Sequence, residues 1–419
     1  MKYKIPRGTF DILPDKSWLW QQLESTFFEV AKVYGYERIV TPIFEMSELF
    51  ERSSGESSDI VQKEMYRFTD RKDRSFALRP EGTAPVVRSY VENHLDMQAK
   101  ITKLYYMGPM FRYDRPQAGR YRQFYQYGVE LIGSNHPYYD AEVIALQWDF
   151  LSRLGLQDIR VEINSVGCAD CAKDYDAALR TYYTPHLDAM CPDCQARIET
   201  KPRRLLDCKV PACKALGKDA PSQLDFLDEP CHEHFDQVKN YLDVMKVPFV
   251  VNPKIVRGLD YYTNTAFEFI NDQLGAQNSI AGGGRYNGLF EQIGGKSIPA
   301  IGFAGGFERL LLSIEKADLI SGGRISPDVY AVALGDDAQA AILPLIATLR
   351  GAGLYVEYEP EKTTMKSQLK AADGKSSRFA MILGEDEVAT KTVVIKNLLT
   401  KEQVTFPSSD TDIIVEHMQ

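Results

Sequence analysis

Arg112, Arg115, Arg120 and Arg122 crowd a stretch that reads FRYDRPQAGRYRQFYQYGVELIG between Phe111 and Gly133, with six aromatic residues interleaved. Guanidinium groups are planar, permanently charged forks that suit phosphate oxygens. β-Forming residues on both sides of the turn Pro116-Gln117-Ala118-Gly119 predict two antiparallel strands joined by a loop. In the outgoing strand, alternation places Arg122, Phe124, Gln126, Gly128, Glu130 and Ile132 on one face. Gly128 then leaves an open slot between a glutamine and a glutamate, where a small ligand could meet both side chains. This is the chemistry of a polyanion-binding hairpin beside a polar pocket. The bland alternative is a solvated hairpin whose aromatics pack a sheet.

Other segments carry weaker signals. In IVRGLDYYTNTAFEF, residues 255–269, Arg257 could neutralise a phosphate while the hydroxyls of Tyr261 and Tyr262 bind a polar ligand edge. A turn at Gly258 with core tyrosines explains the same residues. Ala281-Gly282-Gly283-Gly284-Arg285-Tyr286 could bring backbone close to a ligand under Tyr286. It matches neither the dinucleotide fingerprint nor the phosphate loop, and alone it reads more simply as a glycine-rich turn before a short helix at 288–293. From Ile298 to Arg309 a strand runs through Gly302, Gly305 and Gly306 into a helix. Bare backbone there could carry a flat ring capped by Arg309, although a tight strand-to-helix turn is an adequate account. No Ser/His/Asp or Cys/His triad can be built from the six histidines.

Cys191, Cys194, Cys208 and Cys213 follow a C-x2-C-x13-C-x4-C spacing, with Cys168, Cys171, Cys231, His232 and His234 nearby. That spacing is close to a structural zinc site, and free thiols on a helical insert are the competing reading.

Positioning these residues requires a sheet with helices. Apolar periodicity predicts helices at 15–35, 84–93 and 140–154, with strands at 36–40, around 68–70 and 76–78, and at 160–163. All seven cysteines fall in 165–253, where the pattern is helical with little strand signal, and strand character resumes at Ile255. The expected domains are therefore 1–164 with 254–322, interrupted by a helical insertion at 165–253, and a separate α/β unit at 327–419 after a Gly322-Gly323 linker. Within that last unit, strands at 329–334, 355–359 and 379–383 alternate with helices at 336–352 and 364–373.

A chain of 419 residues with 44% hydrophobic and 26% charged residues is ordinary for a globular protein of two or three domains. Its net charge of −9 gives no global basic field, so any nucleic acid must be held by local patches such as the hairpin. The first residues lack the apolar core of a signal peptide, and no run reaches membrane-spanning length. A cytoplasmic protein with reduced cysteines is expected, with no membrane partner.

Taken in order, the motifs resemble those of the histidyl-tRNA synthetase family within the class II aminoacyl-tRNA synthetases. RGTFDILP resembles the family's opening, the 111–133 hairpin its second class motif and GFAGGFERLLL its third. RGLDYY and GGGRYNGL resemble two histidine-specific signatures. Asn287 and Asn264 depart from residues common in relatives, aspartate and arginine respectively. The resemblance implies an α+β fold: an antiparallel-sheet catalytic core with a helical insertion, a C-terminal anticodon-binding α/β domain, and a homodimer. It implies that histidine, ATP and Mg2+ form histidyl-adenylate, and that the histidyl group then passes to the terminal adenosine of tRNA(His). By the same resemblance, Arg112 and Arg257 would hold the α-phosphate, while Arg120, Arg309 and Gly302 would bind ATP. Glu81, Thr83 and Gln126 would bind the α-ammonium group. Glu130 and Tyr262, with Tyr261 and Tyr286, would surround the imidazole. Arg115 and Gln117 would face the tRNA acceptor end. A related reading is a synthetase-like regulatory subunit of ATP phosphoribosyltransferase, which typically lacks RGLDYY and the C-terminal domain. A nucleic-acid-binding or stress-sensing module without catalysis is disfavoured by the presence of Arg112, Arg257 and Arg309 together.

Overall fold

The computed structural model describes residues 3–55, 58, 60–117, 119–208, 210–255, 261–275, 278–319 and 326–418. Arg257 and the Gly322-Gly323 linker lie outside the described residues. The chain divides into two compact units, one made chiefly of Leu19–Ser321 and the other chiefly of Gly322–Gln419.

The first unit is built on an eight-stranded sheet. Its strand order is Glu37–Arg38, Thr102–Phe111, Gln123–Ile132, Ala300–Gly306, Ser279–Arg285, Thr263–Ile270, Arg160–Ser165 and Phe249–Val251. Among the described residues, the six inner strands pair antiparallel and the two outermost pairs are parallel. Together with the helices that flank the sheet, this is the expected α+β architecture. One face is apolar because alternate residues such as Tyr127, Val129, Leu131, Ile301, Phe303, Phe267 and Phe269 point to it. Against it pack the helix Pro14–Val33, which buries Leu23, Phe27, Val30 and Ala31 at helical spacing, and the helix Pro137–Arg153. Burying that face stabilises the unit by about 25 cal/mol for each Å2 of apolar surface removed from water.

Two features differ from the sequence reading. Residues 281–284 are not a turn: they lie within the strand Ser279–Arg285, in register with Gly302–Gly305 on one side. Glycines weaken an isolated strand, but here the strands on either side fix the backbone that they leave free. The helix Glu229–Val244 and the strand Phe249–Val251 fall inside the stretch read as an insertion. Yet Phe235, Val238, Leu242 and Val247 join the core beneath the main sheet, and the strand pairs with Arg160–Ser165. A smaller apolar cluster of its own, including Tyr175, Leu179, Tyr183, Ile198 and Leu205, lies earlier in that stretch.

The second unit has a five-stranded sheet ordered Val356–Glu357, Val329–Ala333, Phe379–Leu383, Thr392–Asn397 and Gln403–Pro407. The first three strands are parallel, as the alternation with helices Asp336–Gly351 and Met365–Gly374 predicts. An antiparallel pair completes the edge.

Candidate active site

The hairpin strands pair from Thr102 opposite Ile132 to Phe111 opposite Gln123, and Arg112 N donates to Arg122 O at 2.9 Å just beyond. On the outgoing strand, Tyr125, Tyr127, Val129 and Leu131 pack with the main core, so Phe124, Gln126, Gly128 and Glu130 take the opposite face. That face bounds a cavity of about 410 Å3. Ten of the sequence-derived residues line it: Glu81, Thr83, Arg112, Arg120, Gln126, Tyr261, Tyr262, Tyr286, Gly302 and Arg309.

One end of the cavity is cationic. Arg112 is aimed by a bond from Nε to the Pro80 carbonyl at 2.8 Å, with its guanidinium 5.3 Å from the Phe124 ring centre. Arg120 Nη1 pairs with Asp114 Oδ2 at 3.1 Å across the hairpin loop. Arg309 enters from the first turn of the helix Phe307–Lys316 and donates from Nη1 to Ser279 O at 2.7 Å. Burial lowers the Arg309 pKa first, and the positive fields of Arg120 and Arg112 lower it further, against the opposing pull of Glu268. Three mutually repelling guanidinium groups around one cavity make a site for a polyanion.

The other end is buried and interlocked. Glu81 stands one residue before Gly82, the residue that precedes helix Thr83–Glu92, and accepts from Thr83 N at 2.6 Å and Ala84 N at 3.0 Å. Burial raises its pKa, opposed by those two N–H groups and by Arg112. Gln126 Oε1 accepts from Gly82 N at 3.0 Å, which locks the helix start onto the sheet. Tyr261, Tyr262 and Tyr286 form a cage, with ring centres 4.8 Å apart for the first pair and 5.8 Å between Tyr261 and Tyr286. The Tyr286 hydroxyl donates to Glu130 Oε2. Desolvation pushes the fully buried Glu130 carboxyl up to about 8, even though the hydroxyls of Tyr286 and Thr83 pull the other way.

Glu130 thus stands directly behind the cavity wall rather than in its lining, and Gly302 is the reason it fits. A methyl group on Gly302 would come within 1.9 Å of Glu130 Oε2. The slot expected at Gly128 is not open: the Tyr106 hydroxyl from the neighbouring strand reaches into it, 2.6 Å from where a Cβ would stand. Arg115 and Gln117 lie on the loop outside the cavity lining, where Gln117 and Arg120 form a small bridge. Arg257 lies outside the described residues.

Sequence reasoning did not foresee the grouping of Arg285, Asp140 and His234. Arg285 is fully buried and grips Asp140 from Nε at 2.9 and 3.0 Å, while His234 Nε2 stands 3.2 Å from the same carboxylate. Burial raises the Asp140 carboxyl, but Arg285 and His234 outweigh it and hold the group below its usual range. This triad ties two helices to the strand that precedes Tyr286. A hint was available: Arg285 closes a run of small and apolar residues, an unusual place for a solvated charge.

The histidyl-tRNA synthetase family model matches residues 8–183 and 214–310, and an anticodon-binding domain model matches 328–414. The chain belongs to the histidyl-tRNA synthetase family. A histidine–tRNA ligase of Halothermothrix orenii is 49% identical over 419 residues, covering 100% of this chain and 99% of that one. Another, from Desulforamulus reducens, is 50% identical over 398 residues and covers 95% of each. The crystal structure of apo histidyl-tRNA synthetase from S. aureus superposes with a TM-score of 0.84 at 39% identity, covering 99% of both chains.

Proposed function

We propose that the chain is a histidine–tRNA ligase that uses ATP as substrate, activating histidine and transferring it to tRNA(His). The observation that carries this reading is the single cavity in which three arginines face a carboxylate and tyrosine cage. The histidine carboxylate attacks the α-phosphorus of ATP, and the bond to the bridging oxygen breaks, with its electron pair leaving on pyrophosphate. A ribose hydroxyl of the terminal adenosine then attacks the histidyl carbonyl, loses its proton, and releases AMP. Such a displacement needs alignment and neutralisation of developing charge more than it needs a general base.

In this reading Arg112 and Arg257 hold the α-phosphate from two sides. Arg309 and Arg120 bind the remaining phosphates or the adenine ring, with Gly302 lying against the nucleotide. Glu81, Thr83 and Gln126 receive the α-ammonium group. Glu130, relayed through or released by Tyr286, and Tyr262 beside Tyr261 read the two imidazole nitrogens. Mg2+ would accompany ATP and help neutralise its phosphate charge; of the lining carboxylates, Glu81 is engaged by backbone N–H groups, Asp114 by Arg120 and Glu308 by Tyr125 N at 2.8 Å. Arg115 and Gln117 contact the acceptor end, and the unit matching the anticodon-binding model takes the other end of the tRNA. We further propose a homodimer in the cytoplasm; among the described residues no helix is long and apolar enough to cross a membrane. A regulatory-subunit role fits less well, because the ligases cited above align over nearly their whole length and the anticodon-binding model is matched.

Histidine-dependent ATP–pyrophosphate exchange tests the reading. Exchange with histidine and with none of the other amino acids is expected; exchange with a different amino acid alone would overturn the specificity. Arg257→Ala should slow adenylate formation far more than it weakens histidine binding.

A further inference from the structure

The cysteines gather into two separate clusters. Cys191, Cys194, Cys208 and Cys213 bring four sulfurs within 4.8 Å of one another, and Cys168, Cys171, Cys231 and Asp228 bring three sulfurs and a carboxylate oxygen within the same limit. We propose that each cluster binds one zinc ion. One is an all-cysteine site inside the small core of the 169–227 region. The other is a mixed site, three thiolates and the Asp228 carboxylate, where that region joins the catalytic sheet.

The geometry argues for single tetrahedral ions. Zinc–sulfur bonds of about 2.3 Å arranged tetrahedrally set neighbouring sulfurs about 3.8 Å apart. Cys191 Sγ and Cys208 Sγ stand 3.8 Å apart. In the second cluster Cys168 Sγ is 3.5 Å from Cys171 Sγ and 3.3 Å from Asp228 Oδ2. These separations are far too long for disulfides. Each cluster also has a backbone N–H aimed at a sulfur, as thiolates require: Cys191 N to Cys213 Sγ at 3.2 Å, and Asp228 N to Cys171 Sγ at 3.1 Å.

Local structure explains the spacing. Helices begin at Ala169, Pro192, Pro211 and Glu229, and each carries a cysteine at its third residue: Cys171, Cys194, Cys213 and Cys231. In three of the four, the residue just before the helix is the second ligand, namely Cys168, Cys191 and Asp228. Only Cys208 stands two residues further back, which produces the longer x4 gap. Asp228 divides its labour, since Oδ1 accepts from Cys231 N at 2.9 Å and Oδ2 faces Cys168.

The region also needs staples. Between 184 and 227 it consists of helical pieces of four to six residues around a small cluster that includes Cys194 and Cys213 themselves. Cores of that size seldom hold without a metal or a cross-link. The second site lies at the base of the region, where Cys231 Sγ contacts Asn264 Oδ1 at 3.4 Å, in the strand that follows Tyr262. Binding displaces the thiol protons to solvent, so each site fills with loss of its bound protons and without any redox change.

Elemental analysis of full-length protein purified without chelator should give about two zinc ions per chain. Cys208→Ser should remove one and leave the other, and Cys168→Ser should do the reverse. Thermal denaturation should shift to lower temperature after treatment with a zinc chelator. If a variant fails to fold, cobalt(II) titration of chelator-stripped wild-type protein serves instead, with tetrahedral thiolate bands saturating at about two equivalents expected. Seven thiols reacting freely in the native protein, no zinc, and no cobalt spectrum would overturn the proposal. One zinc lost only in Cys208→Ser would overturn the mixed site alone, and iron in place of zinc would overturn the metal assigned.

Discussion

The two ends of the cavity are built on opposite plans. At the cationic end, the arginines are exposed or half-buried, and each is aimed by one or two contacts, such as Arg120 on Asp114 and Arg309 on Ser279 O. At the buried end, Glu130, Tyr286, Gln126 and Glu81 are enclosed and bonded to one another or to backbone. Charges near solvent attract a polyanion from a distance and are screened by salt. Buried polar groups do the reverse: they act only at contact, and leaving one unpaired costs about 1–3 kcal/mol. In the proposed reading, rate enhancement by charge neutralisation belongs to the first end and amino-acid discrimination to the second.

The largest effect should come from the buried end. Glu130→Gln is expected to lower kcat/KM for histidine roughly a thousandfold in pyrophosphate exchange, because a site built around a hydrogen-bonded ring tolerates a mismatch badly. If the loss falls instead on the KM for ATP, the two ends are not separable. Arg309→Ala comes next, with kcat reduced roughly a hundredfold, the scale of one lost transition-state charge contact. That loss should deepen little with rising salt, whereas the wild-type KM for ATP should rise. Gly302→Ala probes the wall between the ends. The added methyl collides with Glu130 Oε2, so about 1–3 kcal/mol of stability should be lost on chemical denaturation, with the KM for histidine rising more than that for ATP. Arg115→Ala should leave pyrophosphate exchange unchanged and raise the KM for tRNA only about fivefold, consistent with one phosphate contact. An equal loss in exchange would place Arg115 in the adenylation machinery.

Much of this contrast was legible in the sequence, and what was not follows a pattern. Period-2 alternation is a local property, so Phe124, Gln126 and Glu130 could be assigned to one face before any strand partner was known. The helix Pro14–Val33 and the parallel strands of the second unit were readable for the same reason. What failed depended on neighbours distant in the chain. The slot at Gly128 is filled by Tyr106 from the adjoining strand, and the Gly282–Gly284 run is a strand only because Ala300–Gly306 and Thr263–Ile270 hold it on both sides. Arg285 looked like part of a signature, whereas its partner Asp140 lies 145 residues away. The helix Glu229–Val244 has a helical pattern, but nothing local says that its apolar face belongs to the main core.

A pH dependence of stability separates the two ends without any substrate. Glu130 ionises near 8 in the folded chain against an ordinary 4.5, because burial penalises its charge. Below that ordinary value both folded and unfolded chains hold the proton, and Glu130 contributes no slope. As pH rises from about 5 to 8, the unfolded chain releases the proton while the folded chain keeps it, so stability falls by up to about 1.4 kcal/mol per pH unit from this group. Glu308, pushed up to about 7 by burial, adds to the same fall. Asp140, held below its usual range by Arg285 and His234, has the opposite sign, but its contribution is lost only under more acidic conditions. The Tm of the ligand-free protein should therefore drop between about pH 5 and 8, by a few degrees for each kcal/mol. Glu130→Gln should flatten that drop, with a remnant left by Glu308, while Arg309→Ala should leave its slope unchanged. If Glu130→Gln and wild type lose stability in parallel, the carboxyl is already ionised in the folded chain. The buried end would then be another solvated charge site, and the contrast between the two ends would reduce to the sign of their charge.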